Sequence, residues 1–173
     1  MLKLVCLSSL LVAACSSSGS TKSHAAANKE KGTANMVKAY ATKTKPTNAT
    51  SMGMMTSPQA GSVSIPITNV EVFQFTANVD DDDTSETLFW ADDGTTVYVW
   101  GSIDLVCVDE DDVETGEEGT ADFIYEANDA EWGWMTATDS CGYSTLFGCS
   151  DDGTGEVCGG CDWNESFIAC DAE

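Results

Sequence analysis

Two short stretches of this chain hold twelve carboxylates between them: Asp80-Asp81-Asp82-Asp83 with Glu86, and Asp109-Glu110-Asp111-Asp112 with Glu114, Glu117 and Glu118. Carboxylates at this density either stay hydrated and repel one another or recruit a hard cation through oxygen ligands, Ca²⁺ before others. The candidate ligands are Asp80, Asp81, Asp82, Asp83, Glu86, Asp109, Asp111 and Asp112. Neither stretch has the D-x-[DN]-x-[DN]-G spacing of a self-contained Ca²⁺ loop, so a site would need the two stretches to meet. A second candidate is the pair Trp132 and Trp134. Two apart on a strand, their side chains point to one face about 7 Å apart; exposed, they would stack sugar rings as a carbohydrate-binding module does, and buried, they would fill a core.

Charge is sorted along the chain, and the sorting excludes most chemistry. All seven basic residues are lysines at or before position 45: Lys3, Lys22, Lys29, Lys31, Lys38, Lys43 and Lys45. The only histidine, His24, lies among them, and of the 29 acidic residues only Glu30 does. From Pro46 to Glu173 the chain has 28 carboxylates and no Lys, Arg or His. Such a segment builds no Ser-His-Asp triad, Cys-His pair, lysine base or arginine phosphate clamp. Nucleic acid is repelled by the same charge. Carboxylate catalysis or chemistry at a bound metal survives as an alternative, that of a small envelope enzyme, but a domain of this size has little room for a deep cleft. The reading preferred is a non-enzymatic one that requires no cofactor.

Cysteines indicate an oxidising compartment. Cys107, Cys141, Cys149, Cys158, Cys161 and Cys170 form an even set, which reads as three disulfides. Five of the six lie in the tail, so Cys107 must bond to one of them and staple that tail to the body of the domain. Cys158-Gly159-Gly160-Cys161 has the C-x-x-C spacing of redox and zinc sites. A redox pair needs a helix start to lower its thiol pKa, and zinc needs a second pair at matching spacing; neither is present.

The elements that must position these groups are strands. Between 63 and 79 and between 95 and 108, β-branched and aromatic residues dominate, broken by Asp and Gly clusters. In the second run Val97, Val99, Ile103, Leu105 and Cys107 alternate with Tyr98, Trp100, Ser102 and Asp104, the pattern of a half-buried strand. In the first the apolar phase changes at Thr68-Asn69, which predicts a bulge or a break into two strands. Further strands are expected at 87–90, 121–127 and 131–138, with one or two in the tail. The fold class is all-β, an antiparallel sandwich or small barrel, disulfide-stapled, spanning 62–173. If the strands run as a meander, the two acidic connections lie at one end and share a rim.

Before this domain, 15–61 is rich in Ser, Thr, Ala, Asn and Lys and reads as a disordered tether, with a short helix over 34–41 as its one candidate element. Within it, Met52-Gly53-Met54-Met55 has thioethers that suit Cu(I) but no His or Cys beside them, and is read as packing on the domain that follows. Residues 1–14 have a positive start at Lys3 and an apolar run from Leu4 to Ala14. Eleven helical residues rise about 16 Å, short of a ~30 Å hydrocarbon core, so the run suits a secretory signal rather than a membrane span. Val12-Ala13-Ala14-Cys15, with the Ser/Gly stretch after it, resembles the lipobox of bacterial lipoproteins. The resemblance implies cleavage before Cys15, a diacylglyceryl group on its thiol and acylation of the new amino terminus. Two or more acyl chains make a stable anchor where one does not. Ser16, in place of the Asp that retains many such proteins in the inner membrane, implies the outer membrane. The expectation is a lipid-anchored envelope protein whose acidic β domain has a binding or structural role, with an envelope protein or a carbohydrate as partner.

Overall fold

The computed structural model describes residues 32–79, 84–109, 113–136, 140–142, 146–151, 156–163 and 168–170, and beyond 142 it describes the backbone together with the Cys149 side chain. The expected signal peptide, residues 1–14, and Cys15 lie outside the described residues. The chain is all-β, built of antiparallel strands in two sheets, with a disulfide between Cys107 and Cys141. The large sheet has nine strands: β1 (Thr50–Met55), β4 (Val70–Ala77), β5 (Glu86–Asp92), β6 (Val97–Val108), β7 (Glu114–Ala127), β8 (Glu131–Thr136), β9 (Leu146–Asp151), β10 (Glu156–Trp163) and β11 (Ile168–Cys170). From β4 to β11 each strand pairs with the next, so the sheet is an unbroken meander. The small sheet is the hairpin of β2 (Gln59–Ala60) and β3 (Val63–Ser64).

Alternation along the strands divides apolar side chains between two faces, and both faces are covered. On one, Phe75, Leu88, Trp90, Val99, Phe123, Tyr125 and Trp134 pack with Ala34 and Val37 of a short helix at 32–37. On the other, Val72, Ala91, Tyr98, Trp100 and Ile124 pack under Ala60, Ile65 and Ile67, carried by the small hairpin and the segment after it. The central strands are therefore buried on both sides. This explains why β6 alternates only in part: Val97 to Gly101 is buried throughout, whereas beyond it Ser102, Asp104 and Val106 are exposed and Ile103, Leu105 and Cys107 are not.

The phase change at Thr68-Asn69 is a break between β3 and β4. Asn69 adopts φ 54°, a conformation Asn tolerates better than most residues, and its amide donates to Thr56 Oγ1 at 2.9 Å. Several acidic and amide side chains make the turns. Asp93 Oδ1 accepts from the amides of Thr95 and Thr96, and Asn128 Oδ1 accepts from those of Ala130 and Glu131.

Residues 32–61, assigned by composition to a tether, belong to the fold, and the folded part begins by Gly32 rather than at 62. Thr33, Ala34 and Val37 are at most 1% exposed, Tyr40 lies against Phe75 with ring centroids 5.3 Å apart, and β1 forms an edge of the large sheet. A few apolar anchors at helical spacing suffice because the sheet supplies the rest of the core.

Candidate functional site

The long hairpin of β6 and β7 is the feature that sets this sheet apart. The register of β5 on β6 ends at Leu88 opposite Gly101, and continued two residues it brings the start of β5 level with Ile103. The pairing of β6 with β7 runs on to Val108 opposite Glu114. The two strands thus project past the β4–β5 end by five residues, about 16 Å, as a ribbon with one face exposed and the other buried at Leu105 and Cys107. Its outer face displays Asp104 and Val106 opposite Thr120 and Glu118, with Glu114 and Glu117 exposed toward the tip. Val106 and Val113 are 40% and 58% exposed.

Local chemistry shapes the ribbon. A register shift between Val106 and Val108 bends it, and Gly116 takes φ +77° near the tip. Asp109 closes the turn: its amide donates to the Val113 carbonyl at 2.8 Å, and its Oδ1 accepts from the Val113 amide at 3.0 Å. Thr115 Oγ1 donates to the Cys107 carbonyl at 3.1 Å. At the base, the connection after β8 folds back along β7. The Ser140 amide donates to the Thr120 carbonyl, the Thr120 amide donates to Ser140 Oγ at 2.9 Å, and Cys141 is bonded to Cys107. A groove of about 640 Å³ results, lined by Asp104, Leu105, Val106, Glu118, Gly119, Thr120 and Ser140.

The expected acidic rim can be followed only as far as the strand ends that flank it. The meander does put both acidic connections at one end, but the strand ends that carry them are staggered by the ribbon's length. Glu86 and Asp109, the described members of the candidate ligand set, are occupied in holding their own connections. Glu86 accepts from the Val79 amide at 3.2 Å and from Thr84 Oγ1 at 3.3 Å. Asp80, Asp81, Asp82, Asp83, Asp111 and Asp112 lie outside the described residues. Among the described residues, no three His, Cys, Asp or Glu side chains are grouped to hold a metal ion.

The tryptophan pair is a core element, which corrects the sugar-stacking alternative. Trp132 and Trp134 are 5% and 0% exposed. Trp134 stacks on Phe123 at 4.5 Å and Trp132 on Tyr125 at 5.1 Å, each pair 11° from parallel, and Lys38 Nζ stands 5.2 Å from the centre of the Trp132 ring. Their stacking surfaces are already taken, largely because residues 32–49 cover this face.

The cysteines follow the expected parity. Cys107 pairs with Cys141, 34 residues on, and Cys149 is also in a disulfide. The backbone register sets Cys158 directly opposite Cys149, and Cys170 opposite Cys161. The side chains of Cys158, Cys161 and Cys170 lie outside the described set.

Sequence reasoning did not single out Tyr98 and Glu126, which face each other across β6 and β7, both at most 1% exposed. Burial, then the negative charges of Glu126 and Asp93, push the Tyr98 phenol well above its usual pKa. The lysines of the described region are engaged away from the ribbon. Lys43 Nζ is 3.2 Å from Asp129 in the β7–β8 turn, and Lys45 Nζ is 5.2 Å from the centre of the Phe73 ring. Compared with known protein families, curated proteins and solved structures, the chain matches none.

Proposed function

We propose that this chain is an exported lipoprotein, held to the outer membrane by lipid on Cys15, and that its β domain is a binding module acting through the acidic ribbon. The observation that supports it best is the ribbon itself, two strands carried about 16 Å past their neighbours with carboxylates on display and no basic residue in either strand. Its inner face reaches the core at Leu105, while its outer, acidic face suits contact with something cationic. Residues 15–31 would link anchor and domain, spanning on average about 20–25 Å as a flexible coil.

The reading assigns the domain no catalysis and no obligatory cofactor. Ca²⁺ fits as a counterion bound at one acidic connection, stabilising the domain rather than reacting. By linkage, an ion at a hundred times its dissociation constant adds about 2.7 kcal/mol, and only if it binds the folded state. Melting in Ca²⁺, in Mg²⁺ at equal concentration and in NaCl of matched ionic strength separates coordination from screening. Equal shifts in all three would remove Ca²⁺ from the reading.

The anchor has its own test. Intact-mass analysis of the mature protein should find a chain beginning at an acylated Cys15, and Cys15→Ala should leave the membrane fraction. A mature chain cut elsewhere, or an unmodified Cys15, would overturn it.

A further inference from the structure

We infer that the outer edge of β6 over residues 102–108 is a strand-addition site for an extended peptide segment in which cationic and apolar residues alternate. The inference rests on the binding reading above and gives that partner a chemistry.

The edge comes from the register. Among the described strands, β5 pairs with β6 only as far as Gly101, whereas β7 accompanies it to Val108 on the other side. The edge of a β ribbon displays main-chain donors and acceptors that a second extended chain can complete, with side-chain pockets setting which chain is accepted. The outermost strands of the sheet are poorer hosts. β1 is interrupted by a register shift between Ser51 and Gly53, with Gly53 at φ +92°, and β11 has three residues.

The exposed face of the ribbon supplies the side-chain contacts. Val106 offers an exposed apolar surface, with Asp104 two residues along β6 and Glu118 opposite on β7. A lysine or arginine from an added strand would lay its aliphatic stem on Val106 and bring its charge to Asp104 and Glu118. Charge also decides what is refused. A second copy of β6 or β7 brings carboxylates to carboxylates, so the edge discourages self-pairing and admits a cationic strand. The described lysines of this chain do not compete: Lys43 is ion-paired with Asp129, in a turn at the opposite end of the meander.

The test titrates the full chain, at low ionic strength, with the peptide Lys-Val-Lys-Val-Lys-Val-Lys and with Lys-Pro-Lys-Pro-Lys-Pro-Lys. The charge is the same, but proline cannot donate ladder hydrogen bonds. The valine peptide should bind at least about tenfold more tightly and slow amide exchange over residues 102–108. Val106→Asp should weaken it despite adding a negative charge, because the apolar surface is lost. Should that variant fail to fold, Glu118→Gln must show the weakening instead. Equal binding of the two peptides, or undiminished binding to the variant, overturns strand addition and leaves a binding module that responds to charge alone. Binding of neither peptide overturns both readings.

Discussion

Gly119 lies directly against Cys141: a β-carbon on Gly119 would stand 2.6 Å from the Cys141 sulfur and 3.3 Å from that of Cys107. The disulfide therefore crosses the ribbon where β7 has no side chain, and the close approach requires glycine. Gly119→Ala should cost about 1–3 kcal/mol through overpacking, read as a lower urea midpoint at unchanged slope. The same substitution in a Cys107→Ala, Cys141→Ala background should cost less but not nothing, since the sulfur it strikes is gone while Ser140 Oγ, also 2.6 Å away, remains.

Disulfide mapping of the unreduced protein should return Cys107–Cys141, Cys149–Cys158 and Cys161–Cys170, with no free thiol among the six. The first is present in the structure, and the other two follow from strand register. Cross-strand cysteines directly opposite each other have α-carbons about 4.5–5.5 Å apart, within reach of a disulfide. A peptide linking Cys158 to Cys161 would contradict this pairing.

Truncation distinguishes a tether from a structural element. A chain of residues 32–173 should fold with the stability of the full chain. One of residues 62–173 loses the helix, β1 and β2, uncovering Trp132 and Trp90 on one face and Tyr98 and Trp100 on the other. It should aggregate or bind hydrophobic dyes, and should show no cooperative melt.

Tyr98 gives the domain an alkaline limit. Its folded pKa is raised, so its contribution to stability is fully present below the unfolded value of about 10 and is lost as pH rises from there toward the folded value. The urea midpoint should fall through that window. In Tyr98→Phe the fall should be shallower, because the phenol that resists ionisation is absent. An identical fall in the variant would assign the effect to other groups.

Much of the sheet is legible in the sequence because its signals are local. The alternation from Val97 to Cys107 and the phase change at Thr68-Asn69 each reflect what a residue's immediate neighbours bury. Cover is not local. Trp132 and Trp134 have the same spacing whether they face solvent or a core, and only the docking of Ala34, Val37 and Tyr40, nearly a hundred residues away, decides it. Those anchors hide in a Ser- and Lys-rich segment because a helix that borrows a ready-made apolar face needs few apolar residues of its own. Cysteine parity fixed that Cys107 joins the tail but not where. The stagger of the acidic connections depends on β6 outrunning β5, a comparison of strand lengths that no single stretch encodes.

In order of position, the pairing expected from the register joins the six cysteines as first to second, third to fourth and fifth to sixth. A chain threaded amino-end first across a membrane presents its thiols in that same order. An oxidant that joins each thiol to the next one to appear would therefore reach this pairing directly, with no wrong bond to undo by thiol exchange. Many orders of pairing are open to six cysteines, and the meander selects the one that a simple oxidant makes first. The protein should mature normally in cells that lack a disulfide isomerase and fail only where the oxidant itself is missing.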